Sequence, residues 1–397
     1  MGAHRGKAML AAMDAQRAGC ALATANLLGE RRRVETRHHS KCWEKCATSG
    51  SPETCEVRAS RLYRAGWTVV ELLLAVGLGL LLTLLASGLL LATAGSHRHH
   101  SDLALLDDSG RYALDLMAQA IRQAAYLNWD SAAAPPGLAA DVAPAISGWD
   151  GRSVAENSDG ISVPLAGVAG LAGSSDVLAL RFAGHGAGND HDGSSVNCAG
   201  FGVAAPAEED RRGWSIFYVA ADAQGTPELR CKYRSSTGNW GADAIVRGVA
   251  SFQVLYGLDT DHPADGIANR YLNASAVRAL DAALVAAGAT PAAQQRDLLR
   301  KSHWHRVCSI KLGLLLQGDA ITRVDRVPAR FDLFSPTYAD SHGDDLGVRV
   351  REDDLPEAER WRPRRLFGLT VALRNFPELS QRPGLAARPG AQAGAGG

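Results

Sequence analysis

The chain is 397 residues long, and its 42 Lys and Arg residues balance 42 Asp and Glu residues. Residues 1–66 hold 12 basic and 6 acidic side chains, so residues 67–397 carry a net charge of −6. A protein dedicated to nucleic-acid binding usually has a basic patch or stripe. The charge therefore argues against nucleic acid as the main partner.

Residues 1–66 precede the first apolar segment and are interpreted as a leader or propeptide. Four of the chain's seven cysteines, Cys20, Cys42, Cys46 and Cys55, lie here. Because the segment is long for a leader, we expect that much of it reflects a start codon assigned too far upstream. The segment is therefore left out of the fold prediction.

A nearly uninterrupted apolar segment, Trp67–Ala94, follows the leader. It is longer than the roughly 20 residues that a helix needs to cross a bilayer core, and a helix satisfies its own backbone hydrogen bonds in lipid. Arg58, Arg61 and Arg64 lie just upstream, and positive side chains stay on the cytoplasmic side. The segment predicts a single-pass membrane protein with a cytoplasmic N-terminus and most of the chain outside the cytoplasm.

One ionisable residue, Glu71, lies within this segment, close to its start. A charge inside a bilayer usually has a partner, and the segment contains no basic residue. Cleavage after Gly66 would create an amine on Trp67, about 6 Å of helix rise from Glu71. A carboxylate that lies at the membrane surface without a partner is the alternative.

The stretch GWTVVEL, residues 66–72, resembles the class III signal of type IV prepilins. That signal is a glycine, a bulky apolar residue, a short apolar run and a glutamate at the fifth mature position. The resemblance implies cleavage between Gly66 and Trp67 by a prepilin peptidase, and N-methylation of Trp67. It also implies that Glu71 brings the subunit into a filament by neutralising an N-terminal amine.

A second helical segment, residues 95–129, follows the apolar one. Its apolar residues recur at alternating steps of three and four, which places them on one face of a helix. We therefore expect one long helix whose outer half packs on a globular domain. The residues of this face are Leu103, Leu106, Gly110, Ala113, Met117, Ala120, Ala124 and Leu127.

Residues 130–376 predict a β-rich globular head, because short apolar runs are bounded by Gly, Asp, Asn and Pro clusters. The alanine-rich stretch 274–300 predicts two short helices between strands, and residues 377–397 predict a disordered tail. The expected fold is α+β: a pilin-like lollipop with a long N-terminal helix packed on an antiparallel β-rich head. The strand-like runs are residues 215–221, 251–259, 309–317 and 366–375.

Several segments, in chain order, resemble the PilW family of minor pilins. The family's Arg-Tyr-Ala-Leu and Ile-Arg-Gln-Ala stretches occur at residues 111–114 and 121–124. Its Tyr-Gly-x-Asp segment occurs at 256–259, and residues 370–375 fit its last strand. The resemblance implies a minor pilin that helps to initiate or cap assembly of a type IV pilus.

Three cysteines, Cys198, Cys231 and Cys308, lie in the predicted head. An exported domain meets oxidising conditions, in which disulfides persist. Cys198 and Cys231 flank the strand-like run 215–221, so their pairing is the first choice, and Cys308 is expected as a buried free thiol. The sequence leaves all three single pairings open.

A glycine-bounded loop, residues 257–266, contains Asp259, Asp261 and Asp265. Oxygen-rich loops of this kind can bind Ca²⁺, which takes 6–8 oxygen ligands, although the full EF-hand pattern is absent and a solvated turn is the alternative. The sequence has no nucleophile elbow, phosphate-binding loop or dinucleotide fingerprint. It therefore predicts no enzyme and, apart from this calcium candidate, no cofactor.

The resemblance implies three kinds of partner: other minor and major pilins, the prepilin peptidase and the inner-membrane pilus assembly platform. It also implies an inner-membrane subunit with a periplasmic head, whose final location is the pilus at the cell surface. Two alternatives stay open. One is a pseudopilin of type II secretion, and the other is a signal-anchored periplasmic domain with no filament role. The spacing from Gly66 to Glu71 favours a pilin, because an ordinary anchor has no need of it.

Overall fold

The computed structural model describes residues 68–127, 142–186, 191–206, 211–323 and 325–375. The predicted leader, the cleavage residues Gly66 and Trp67, and the predicted tail 377–397 lie outside the described residues. Within that part of the chain the expected α+β class is confirmed, with a long N-terminal helix and a mostly antiparallel β head.

The first element is a 55-residue helix, α1 (Val69–Gln123), which joins the apolar and the amphipathic segments. Leucine and alanine, both strong helix formers, dominate its sequence. The helix ends at Gln123, earlier than the predicted Trp129, because Ala125 has a left-handed backbone with φ 59°. The Ala125 N–H donates to the Arg181 carbonyl at 2.9 Å. The chain therefore turns out of the helix at Ala125, where its backbone N–H is hydrogen-bonded to the head.

The apolar face predicted for the outer half of α1 is confirmed. Asp108, Arg111 and Asp115 are exposed on the opposite side, as the three-and-four spacing requires. Leu103 and Leu127, at the two ends of the face, are half-buried. The fully buried members are Leu106, Gly110, Ala113, Met117, Ala120 and Ala124.

The head follows α1, and its elements within the described residues are these. The strands are β1 (Ile146–Trp149), β2 (Arg152–Val154), β3 (Pro164–Ala166), β4 (Val177–Phe182), β5 (Gly213–Ala221), β6 (Pro227–Arg234), β7 (Trp240–Arg247), β8 (Val249–Leu258), β9 (Arg270–Leu272), β10 (Val307–Gln317), β11 (Arg330–Asp332), β12 (Arg349–Arg351) and β13 (Arg364–Ala372). The shorter helices are α2 (Ala274–Ala282), α3 (Pro291–Lys301), α4 (Pro336–Ser341) and α5 (Glu357–Arg360). The four predicted strand runs correspond to β5, β8, β10 and β13, and the two helices expected in the alanine-rich stretch are α2 and α3.

Two antiparallel sheets form the main layers of the described head. The first has the order β1–β4–β5–β6–β7, and the second has the order β13–β10–β8–β9. In the second sheet Ser309 of β10 pairs with Ala372 of β13, and Gln317 pairs with Arg364. This register places the end of β10 beside the start of β13.

One continuous core joins the apolar face of α1 with one face of each sheet. Met117 of α1, Phe217 of β5 and Leu312 of β10 are all fully buried in it. Each sheet also carries a smaller cluster on its other face. Tyr218 packs in a cluster with β2, and Leu315 packs in a cluster with β11 and β12. The second half of α1 is therefore an integral part of the head.

Candidate assembly surface

The apolar part of α1, Val69–Leu91, is long and apolar enough to cross a membrane, with a mean hydropathy of 2.5. Its 23 residues rise about 35 Å as a helix, compared with a bilayer core of about 30 Å. Its leucine and valine side chains are exposed, and none of them packs in the core of the described head. An exposed apolar surface of this size is typical of a site that contacts a membrane or another protein.

The first turn of α1 is closed by a reciprocal cap between Thr68 and Glu71. The Glu71 N–H donates to Thr68 Oγ1 at 3.2 Å, and the Thr68 N–H donates to Glu71 Oε2 at 2.9 Å. The Thr68 hydroxyl also donates to Oε2, at 3.1 Å. This is the capping box expected of a Thr-x-x-Glu sequence, in which two unpaired helix donors are satisfied. From the sequence, Glu71 was expected to pair with an N-terminal amine or to lie at the membrane surface without a partner, and this contact with Thr68 was not predicted.

The outer half of α1 is fixed to β13 by contacts along its length. Arg365 Nε lies 3.3 Å from Asp107 Oδ1. A Cβ added at Gly110 would lie 2.3 Å from the Phe367 ring, so only glycine allows this close approach. At the other end of the strand, Asn375 Nδ2 donates to the Ala124 carbonyl at 3.2 Å. The close contact with Phe367 explains why the apolar face of α1 includes a glycine, Gly110.

The disulfide Cys198–Cys231 is present, with Cα atoms 5.9 Å apart and a sequence separation of 33. It ties the loop before β5 to β6, and both cysteines are buried. The Cys198 N–H also donates to Ser215 Oγ at 3.0 Å. Cys308 is a buried free thiol, and burial raises its pKa to about 11. A thiol of this kind is inert.

The three aspartates of the calcium candidate lie close together, since one carboxylate oxygen from each falls within 4.8 Å of the others. Asp259 is fully buried, and its carboxylate accepts the N–H groups of Asp261 at 3.0 Å and Gly266 at 2.6 Å. Asp265 accepts the Ile267 N–H at 2.8 Å. These hydrogen bonds alone explain the loop's conformation, so calcium binding there stays a prediction.

A buried lysine that the sequence did not single out lies at the back of the five-stranded sheet. Lys232 Nζ donates to the carbonyls of Ala155, Ser158 and Gly160 at 2.7–2.8 Å and lies 4.8 Å from the Trp240 ring centroid. Burial lowers the pKa of Lys232 to about 8, although Asp159 and Glu156 oppose the shift. Lys232 therefore holds the loop before β3 against β6.

A second buried charge cluster lies at the end of the four-stranded sheet where β10 ends and β13 begins. Glu352 is fully buried and accepts from Arg364 at 2.9 Å and from Arg323 at 2.7 Å. Arg364 also donates to Gln317 Oε1 at 3.1 Å. Glu352 pairs with both arginines, so its removal would leave the buried Arg364 guanidinium without a carboxylate partner. The cluster is structural and holds the connections that follow β10 and precede β13.

Comparison with known proteins gives a family match within the head. Residues 216–375 match the family model described as PilW, type IV pilus-assembly protein W. No curated protein matches. Among solved structures, a type IV-like pilin from Thermus thermophilus is similar at 13% identity and a TM-score of 0.29, over 68% of this chain and 96% of that chain. At this identity and TM-score the structural similarity supports no statement about function.

Proposed function

Because residues 216–375 match the PilW family of type IV pilus-assembly proteins, we propose that this chain is a minor pilin. Its precursor is cleaved after Gly66 and N-methylated on Trp67, and the mature subunit packs into the pilus through α1. It acts early, helping to initiate or cap the filament with other minor pilins on the inner-membrane platform. The subunit acts by packing against neighbouring subunits and catalyses no reaction.

The exposed apolar half of α1 supports this proposal. Val69–Leu91 offers a helix surface that lipid can surround before assembly, and neighbouring apolar helices can surround it afterwards. The exposed apolar surface of α1 stops where the head begins, because from Leu106 onwards the apolar face of the helix is buried in the core. A subunit with this division can exchange lipid for helix contacts without unfolding its head.

Glu71 supplies the selective step in this proposal. Its contacts with Thr68 both use Oε2, so Oε1 is the oxygen that an approaching amine can bind. A charge within a bilayer costs roughly 2.5–3.5 kcal/mol, and pairing with the N-terminal amine of a neighbouring subunit would relieve that cost. Pairing therefore favours the filament over the free membrane-inserted subunit.

Two variants separate pairing from capping. Glu71→Ala removes both functions, whereas Thr68→Ala weakens the cap by about 1 kcal/mol and keeps the carboxylate. Both precursors should insert and be cleaved. We expect Glu71→Ala to be absent from sheared pili and Thr68→Ala to be retained, as measured by immunoblot of sheared and membrane fractions. Equal loss in both variants would mean that Glu71 only caps the helix, and equal retention would leave a signal-anchored domain as the better account.

A further inference from the structure

Four large apolar side chains form an exposed row along one side of α1. They recur at steps of seven or fourteen residues, and seven residues bring a helix back to within about 20° of the same direction. All four are 58–76% exposed, and the position that completes the spacing holds Arg98. The row therefore has a first pair in the apolar half of α1 and a second pair in the half that packs on the head. The four residues are Leu84, Leu91, Leu105 and Tyr112.

The second pair lies beyond the reach of lipid when the apolar half of α1 spans the membrane. Leu105 and Tyr112 follow Leu91 by 14 and 21 positions, or about 21 and 32 Å of helix rise. The polar headgroup layer extends only about 5–8 Å beyond each side of the bilayer core. A protein partner therefore explains this exposed apolar pair better than lipid does.

A groove lies beside Tyr112, between α1 and the edge strand β7. It measures about 530 Å³. In the described residues β7 pairs with β6 alone, so its other edge is open to the groove. The charged lining residues are Asp108, which is exposed, and Arg247, which is paired with Asp222. The rest of the lining is uncharged and consists of Ser109, Tyr112, Ala244, Ile245 and Val246.

The occupant that matches this surface is a helix without charges. In this chain the apolar half of α1 has no charged residue from Leu72 to Ala94, and its leucine and valine side chains are exposed. Such a helix can pack along a row of side chains spaced by seven residues, as helices do in coiled coils. A helix with a polar surface would leave Leu105 and Tyr112 without apolar contacts.

We propose that the groove between α1 and β7, together with Leu105 and Tyr112, receives the apolar helix half of a neighbouring pilin subunit in the filament. The inference rests on the proposed function and names the partner of the outer half of α1. Leu80, the middle of the apolar half, precedes Asp108 by 28 positions, or about 42 Å of helix rise. The partner subunit is therefore displaced outward by about that distance. Because subunits join from the membrane side, the partner was assembled earlier, and this chain lies below it.

Photocrosslinking within intact pili tests the identity of the partner. p-Benzoylphenylalanine, which is close to tyrosine in shape, replaces Tyr112 in the full-length protein, and sheared pili are irradiated. We expect a crosslinked peptide from the apolar N-terminal helix of a pilin subunit, identified by mass spectrometry. A crosslink to the head of a pilin, or none in pili that contain the variant, would overturn the proposal.

Matched charge substitutions give a second test. Leu105→Glu and Tyr112→Glu should lower the amount of the protein in sheared pili at least about tenfold, because an unpaired carboxylate would face an apolar helix. Val285→Glu is the control and should be retained, because Val285 is 81% exposed in the α2–α3 connection. All three variants should keep the urea midpoint of the wild-type head, since the three side chains are exposed.

The outcomes separate this inference from the proposed function. Normal incorporation of Leu105→Glu and Tyr112→Glu would contradict the groove as a helix site and leave the minor-pilin role intact. Loss of Val285→Glu as well would contradict a localised contact. Absence of the wild-type protein from pili would contradict both proposals.

Discussion

The disulfide Cys198–Cys231 gives the prediction with the most direct magnitude. It closes a loop with a sequence separation of 33. On the chain-entropy relation, closing a loop of that size in the unfolded state is worth about 4 kcal/mol. Domains are stable by only about 5–15 kcal/mol in total. The double variant Cys198→Ala/Cys231→Ala should therefore lose a large part of the head's free energy of unfolding.

Urea unfolding followed by near-ultraviolet circular dichroism measures the loss. With a slope of about 2 kcal/mol per molar urea, we expect the midpoint to fall by about 2 M in the double variant. Reduction of the wild-type protein should give a similar shift. Cys308→Ala is the control: it should keep the shift on reduction, because Cys308 forms no disulfide. Identical midpoints for the oxidised, reduced and double-variant proteins would refute the reasoning.

Two further changes probe the head. Gly110→Ala should destabilise the protein by about 1 kcal/mol, because displacement of the Phe367 ring outweighs the gain in helix propensity. Adding Phe367→Leu should restore the urea midpoint. A Gly110→Ala variant as stable as wild type would exclude the clash. Asp297 has a pKa lowered to about 2, chiefly by its hydrogen bond from Lys301. A lowered carboxyl pKa stabilises the fold above about pH 4, and this contribution is lost as the pH falls from 4 to 2. Asp297→Asn should therefore flatten the dependence of the thermal midpoint on pH over that interval, and an unchanged slope would contradict the assignment.

Local patterns carried most of the fold prediction. The outer half of α1 was predictable because every third or fourth residue from Leu106 to Ala124 turns to the same side, and burial follows that spacing. The main strands were predictable because their runs are apolar and bounded by turn residues. The Cys198–Cys231 pairing was a sound first choice because the two residues flank one strand.

Contacts between residues far apart in the chain could not be predicted from the sequence. Nothing near Gly110 indicates that Phe367 will pack on it, since the contact depends on the register of β13 against α1. Lys232 alternates with apolar residues like any surface lysine, and it is buried because the loop at 155–160 folds over it with its carbonyls. The end of α1 was misplaced because the bond from Ala125 to Arg181 is a tertiary contact. The cap between Glu71 and Thr68, in contrast, could have been predicted from the Thr-x-x-Glu spacing, but only an N-terminal amine was considered as a partner for Glu71.

The most direct test of the account is the mass of the mature N-terminal peptide, measured on protein from membranes and from sheared pili. We expect one species in both fractions, beginning with an N-methylated Trp67. A peptide that still contains Arg64, or a protein found in membranes and never in pili, would contradict it.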